Sequence, residues 1–417
     1  MTSTSLGSLS LLNFLVAGMQ TGFGAFVPVH LTKAGWDTGE IGLVLSAGTI
    51  AAIVAQVPAG MVVDNSSAKR SVAGVAILAS ILALLVLAAA PGFVPVLAAQ
   101  AIAGVAGPLL SLAIAAITLA LTQQEMLGER LGQNARYAAI GAALGAGMLG
   151  LVGSFVSDSV VFYVAAGVGV PALLALFRIH RGDLLMAATK TGHLAAPPPV
   201  ARRRRPVPKR RLLRDRRLHA FIACAAAFHL CNAALLPLAA GEAARHAGHL
   251  ADVITGAATV VPQVLVAALS PWVGRMANRR GRRLMLLCGF AALPARALLF
   301  ALGGPPELLV VEQALDGVSG AVFGVLLPLV VADITYSGGR FNFALGIVGV
   351  AISLGAAASN AGAGALADAI GLHPTFVVLA GLGAGAVALV WLVMPETAHL
   401  HAPPPPPRAL PLASDTA

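Results

Sequence analysis

Three ionisable side chains, Arg296, Glu312 and Asp316, fall inside stretches of sequence that are otherwise almost wholly apolar. Charge in such a setting is costly, by at least about 2.5 kcal/mol for Arg, Lys or Asp on membrane-insertion scales, and marks a functional position by default. Arg296 precedes the Gly303-Gly304-Pro305-Pro306 turn by seven residues and Glu312 follows it by six, which sets the two at similar depth on adjoining helices as an intramembrane ion pair. Such a pair either serves a mechanism or only neutralises two buried charges. Asp316 either carries a proton or cation, or caps a kink beside Gly317. His229 is the second candidate for proton coupling, because an imidazole exchanges its proton near neutrality; the competing reading is a neutral, hydrogen-bonded ring. Gln20, Gln100, Asn232, Gln263 and Gln313, with His229, supply donors and acceptors that either line a substrate cavity or bridge helices. Cys224, His229 and Cys231 have no fourth ligand near them in sequence, so neither a metal site nor another cofactor is expected.

The elements that hold these groups follow from composition. The chain has 417 residues, 58% hydrophobic and only 11% charged, with a mean hydropathy of +0.86. A soluble protein would carry roughly 25% charged residues, so this is a membrane protein. A span needs about 20 apolar residues, and suitable runs fall at 8–31, 40–63, 71–90, 93–122, 134–153 and 158–179, then at 218–240, 250–273, 284–302, 306–333, 342–367 and 371–394. The first run continues without an A-x-A cleavage site and reads as a span, not a signal peptide. The three cysteines all lie in apolar runs and form no disulfide framework.

The expected fold is therefore an all-α membrane protein of twelve transmembrane helices in two six-helix bundles, 1–180 and 218–394. Between them, 181–217 is a basic linker holding Arg202 to Arg205 and Lys209 to Arg211, and 395–417 is a Pro-rich tail expected to be disordered. Placing both termini and the linker in the cytoplasm leaves Lys33 and Arg245 in outward loops and Arg296 in a span, so 24 of the 27 basic residues face inward. That satisfies the positive-inside rule of a multi-pass protein, as in a bacterial inner membrane. The linker arginines then read as a topology signal touching anionic lipid headgroups, with no nucleic-acid partner.

The two bundles repeat. Gln100-Ala-Ile-Ala-Gly104-Val-Ala-Gly107 matches Gln313-Ala-Leu-Asp-Gly317-Val-Ser-Gly320 at an offset of 213, and Gly60-x-x-x-Asp64 matches Gly274-x-x-x-Asn278 at 214. Pro28 and Pro237 align at 209, setting Gln20 opposite His229. Asp316 stands where the first copy has Ala103, and an acid present in one copy alone suggests coupling.

With those motifs the chain resembles the major facilitator superfamily, whose loop between spans 2 and 3 reads close to G-x-x-x-D-x-x-G-R-R. The copy from Gly274 keeps Gly281, Arg282 and Arg283 but has Asn278 for the acid; the copy from Gly60 keeps Asp64, Lys69 and Arg70, lacks the second glycine and carries one extra residue. The resemblance implies that Gly60, Asp64, Lys69 and Arg70, with Gly274, Asn278, Gly281, Arg282 and Arg283, form a cytoplasmic gate that stabilises an outward-facing state. An acid at such a position can pair with basic residues across its loop or with a neighbouring helix N-terminus. The resemblance also puts span 10, and so Asp316, beside spans 1, 4 and 7 around a central cavity. Two departures stand out: many proton-driven exporters of the family carry Arg near the position of Gln100, and a Gly-Pro pair in span 5 where this chain has Gly141, Gly145, Gly147 and Gly150.

The function implied is secondary transport of a small-molecule substrate by alternating access, driven by an ion gradient, most simply protons, in a monomer. Within transport, efflux competes with metabolite uptake. A non-transporting sensor or scaffold is the alternative class. The chain is not expected to be an enzyme, since it has neither a Walker motif nor a D-D-x-x-D carboxylate cluster.

Overall fold

The computed structural model describes residues 3–23, 26–89, 92–180, 182, 208–247, 251–305, 307–336 and 339–398, without the side chains of 3, 38, 241 and 243–256. Most of the basic linker, most of the tail and the side chain of Arg245 lie outside those residues.

Among the described residues, twelve helices are long and apolar enough to cross a membrane. They are α1 (Thr4–Lys33), α2 (Gly39–Asn65), α3 (Lys69–Ala89), α4 (Phe93–Ala120), α5 (Gln124–Phe155) and α6 (Asp158–Phe177), then α7 (Arg216–Ala240), α8 (Ala257–Arg280), α9 (Arg282–Leu302), α10 (Leu308–Thr335), α11 (Phe341–Ile370) and α12 (Leu372–Val393). The fold is all-α, as the composition requires. Leu43, Val54, Leu78, Leu151 and Leu392 lie on outer surfaces, and helices apolar all round are stable there because lipid, not water, meets them. Prolines inside α2, α4, α6, α8, α9 and α10 are tolerated because neighbouring spans re-satisfy freed backbone groups.

Helix ends differ most from the apolar runs in α5, which starts at Gln124 and not near 134, and in α8, which continues past 273 to Arg280. Both extensions carry charge, Glu129 and Arg130 in one and Arg275, Arg279 and Arg280 in the other. A hydropathy limit stops where charge begins, but backbone hydrogen bonding does not.

The tail expectation needs correction at its start. Pro395 to Ala398 is not disordered: Glu396 accepts backbone hydrogen bonds from Arg282 and Arg283 at 2.9 and 3.1 Å, which fastens the tail to the first turn of α9.

Two spans are broken. Within α1, a helix Ser3–Gln20 passes through a 3-10 turn, Thr21–Phe23, into Phe26–Lys33. In α7, a helix Arg216–Asn232 ends before a second helix, Leu235–Ala247, which runs on past the apolar limit of the span. The matched breaks set Gln20 opposite Asn232, each the last residue of its first segment, and not opposite His229, one turn earlier. The proline alignment misled because Pro28 and Pro237 lie beyond the breaks, where the two copies differ in length.

Each half packs alike, α4 on α2 and α3, and α10 on α8 and α9. The halves meet along two seams, α2 with α11 and α5 with α8.

Candidate transport site and gate

The seams are built from backbone packed on glycine. A Cβ at Gly60 would collide with the carbonyl of Asn342, and one at Gly346 with that of Gln56. In the other seam, Gly274 meets the carbonyl of Gly128, and Gly132 that of Ser270. All four contacts are related by the 214-residue offset. The sequence repeat is therefore a repeat of interface geometry, with small residues allowing the close approach.

Asp64 latches the first seam. Its Oδ1 accepts from the Asn342 N–H at 3.0 Å and from Asn342 Nδ2 at 2.8 Å, and its Oδ2 accepts from the Phe343 N–H at 2.8 Å. The carboxylate thus caps the N-terminus of α11 in the opposite half, where free N–H groups and the helix dipole favour negative charge. Its hydrogen bonds go to the helix N-terminus, while Lys69 of its own loop interacts with it through charge alone. Lys209 of the linker closes over this contact, donating to Met61 Sδ at 2.8 Å with its ammonium 5.5 Å from the Phe343 ring centroid. In the second seam Asn278 donates to the Glu125 carbonyl at 2.8 Å.

Several other residues expected at the gate make hydrogen bonds within their own halves. Arg70 donates to the Ile179 and Phe177 carbonyls at 2.7 and 3.3 Å, at the C-terminus of α6. Lys69 reaches back to the Ser66 carbonyl at 3.4 Å, and Arg283 donates to the Trp391 carbonyl while lying over its ring. Gly281, at φ +97°, occupies backbone space that side chains rarely adopt and that Glu396 also fills. Arg282 reaches the other half through an intermediary: it pairs with Asp333 at 2.9 Å, and Asp333 accepts from Gln124 of the N-terminal half at 3.1 Å. Asp333 and Glu396 escaped the sequence reading. A lone acid late in the apolar run of α10, and an acid just past the last span, were the available signals.

The second site lies within the C-terminal half. Arg296, 1% exposed, forms its ion pair with Asp316 and not with Glu312, which corrects the expectation. Depth along the helices was matched correctly, but facing was not. Glu312 is one helical turn earlier and lines a separate cavity of about 280 Å³ with Glu242, Phe300 and His373. Arg296 also donates to Asn232 Oδ1 at 2.7 Å and to Gln313 Oε1 at 3.2 Å. One guanidinium thus ties α7 at its break to α9 and α10. The side chain of Asp316 is 28% exposed against 2% for Arg296, so the base is enclosed while the acid is open on one side.

The other candidates for cavity lining divide. Gln313 and Gln100 are buried within their halves: Gln313 accepts from Arg296 and so bridges α9 and α10, whereas Gln100 packs against Gly48 of α2 and its Nε2 has no hydrogen-bond partner. Gln20, His229, Asn232 and Gln263 are half-buried. His229 Nδ1 lies 3.1 Å from the Ala225 carbonyl, and its ring meets Phe323 edge-on at 5.0 Å in a cluster with Phe228 and Phe290.

The sequence of residues 9–251 and again of 221–415 matches the Major Facilitator Superfamily model, so each half carries the pattern. The chain belongs to the major facilitator superfamily. This facilitator is 37% identical over 400 residues to an uncharacterized MFS-type transporter of Mycobacterium tuberculosis, covering 94% of this chain and 93% of the relative. Multidrug resistance protein 1 of Bacillus subtilis is 30% identical over 149 residues, 36% of this chain and 38% of that one. In fold, the facilitator is similar to the crystal structure of the E. coli fucose:proton symporter, with a TM-score of 0.68 at 14% identity, over 93% of this chain and 97% of that chain.

The facilitator's Glu396 gives a pH-resolved prediction. Burial alone would raise its carboxyl, but N–H donors from Ala398, Arg282, Arg283 and Thr397 outweigh it and hold the group below its ordinary 4.5. A lowered folded value stabilises above the ordinary glutamate range and is lost as pH falls through the lowered value. Glu396→Gln is expected to lose about 1 kcal/mol, as for a helix cap, equally at about pH 6 and pH 8. Thermal unfolding of both proteins checks this, and the gap should close only in strong acid.

Proposed function

We propose that this facilitator is a secondary active transporter that exports a small amphipathic solute in exchange for protons, by alternating access between the two halves. The observation that carries the reading is the Arg296–Asp316 pair, a buried base holding a partly exposed acid. A proton and Arg296 compete for one carboxylate. Loading the proton releases the guanidinium, which loosens its grip on Asn232 at the break in α7, and broken helices at the membrane midplane are where transporters build substrate and ion sites.

The seams support the second half of the mechanism. Hydrogen bonds and close contacts between halves run from Gln56–Ser353 to Asp64–Asn342, toward the end that bears the linker. With the basic linker and both termini in the cytoplasm, by the positive-inside rule, this closure corresponds to an outward-facing state of an inner-membrane protein. The likeness to a multidrug resistance protein supports export. The acids Asp316, Glu312 and Glu242 on the C-terminal half favour a cationic or neutral amphipathic solute over an anionic one.

The test is flux. Amphipathic cations, ethidium among them, are screened by thermal shift on the purified protein, and each hit is followed in liposomes under an imposed proton gradient. Saturable, gradient-dependent movement is the expected result. Binding without flux would leave the sensor reading standing in its place.

A further inference from the structure

A pocket of about 420 Å³ opens at the linker end of α1, α5 and α8, away from the Asp64 latch, lined among others by Ser10, Arg130, Gln133, Arg136, Tyr137 and Arg275. Arg130 forms its floor. It is 7% exposed, and its guanidinium donates to the Leu6 carbonyl at 2.8 Å, to Ser10 Oγ at 3.0 Å and to Gln133 Oε1 at 3.3 Å. Every one of these partners is neutral, and Arg130 Nε has no partner at all. Among the described residues no carboxylate pairs with Arg130. Glu129 pairs instead with Arg275 on the rim, 3.9 Å away. Arg136, also on the rim, is exposed.

A buried charge without a counterion is costly unless something supplies the missing charge. Three guanidinium groups around one cavity, with the one carboxylate of Glu129 set beside Arg275, ask for an anion with several acceptor oxygens, and arginine forks match phosphate. The setting selects the source. Tyr137 on α5 and Trp272, next to the pocket's Pro271, are 41% and 48% exposed, and amphipathic rings of this kind sit at headgroup level in membranes. Basic pockets between spans on such a face take anionic headgroups.

We propose that this pocket binds the phosphate of an anionic phospholipid, separately from the basic linker. Arg130 and Arg136 belong to the N-terminal half and Arg275 to the C-terminal half. The same stretch of α8 makes the close approach of Gly132 to Ser270 and Pro271. A headgroup gripped by Arg136 and Arg275 therefore bridges the α5–α8 seam and stabilises the closed linker end.

The experiment uses the full-length protein, delipidated in neutral detergent, with phosphatidylglycerol, phosphatidylcholine or inorganic phosphate added, and reads melting temperature and bound lipid by native mass spectrometry. Arg136→Gln/Arg275→Gln alters only exposed rim positions, and Arg216→Gln/Arg217→Gln removes equal charge elsewhere on the same face. Phosphatidylglycerol should stabilise the wild type and the control pair, with binding to the pocket variant weaker by about fivefold for each arginine removed. Equal stabilisation of the pocket variant, or stabilisation by phosphatidylcholine to the same degree, overturns the site. Full stabilisation by inorganic phosphate overturns the lipid assignment, since a soluble anion would then suffice.

Discussion

Asp316→Asn in liposomes is expected to lose gradient-driven accumulation of a transported cation entirely while keeping exchange between equal concentrations within about twofold of the wild type. Exchange needs binding and the conformational change but no net proton movement, whereas accumulation needs a proton to be carried each cycle. Asn keeps an oxygen toward Arg296 but cannot take up or release a proton. The substitution also strands Arg296, a fully buried base, and removing one member of a buried pair costs about 3–5 kcal/mol. Asp316→Asn/Arg296→Gln removes both charges and separates the two effects. A coupling acid gives loss of accumulation in both variants with exchange retained in at least the double. A purely structural pair gives parallel loss of folding, binding and both fluxes in the single variant and recovery of all of them in the double.

Asp64→Asn is the second large effect. The carboxylate caps α11 with both oxygens and takes a third bond from Asn342. An amide keeps one acceptor oxygen and turns an NH2 group toward a helix N-terminus. The loss of charge-assisted capping should be about 1–2 kcal/mol, which shifts the balance between closed and open linker ends by about tenfold. Distances between spin labels at Ser67 and Arg279, on opposite halves at that end, should lengthen in the population average. Arg70→Ala should leave them unchanged, because the Arg70 bonds to the Phe177 and Ile179 carbonyls lie within its own half. An unmoved distribution in Asp64→Asn, or an equal shift in Arg70→Ala, would show that the cap does not hold the gate.

The twelve spans were legible because a hydrocarbon solvent imposes one requirement, about 20 apolar residues with every backbone group satisfied internally. Duplication was legible too, and the offset of 214 that links Asp64 with Asn278 also relates the four glycine contacts of the seams. Facing was harder. Arg296 and Glu312 share a depth, but which acid turns toward the base depends on rotation about α10, and in a helix without an apolar stripe nothing in the sequence fixes that rotation. Gln100 and Gln313 illustrate the same limit, since a polar side chain in a span can turn toward the cavity or into its own bundle. The network through Asp333, Gln124 and Glu396 joins residues from three separate regions of the chain, and such long-range partners leave no local spacing to read.

Proton coupling through Asp316 is tested most directly without any substrate, by measuring spin-label distances at both faces in acidic and in alkaline buffer. Labels at Ser67 and Arg279 report the linker end, and labels at Ala34 and Ile370 the opposite one. The carboxylate faces Arg296, with Gln313 and Asn232 around the base and Glu312 one turn away, and among the described residues no other acid pairs with the guanidinium. The wild type should change both distances in opposite senses as pH changes, one mouth closing as the other opens, while Asp316→Asn gives the same distances in either buffer. A full wild-type pH response in Asp316→Asn would contradict the assignment of the coupling proton to this residue.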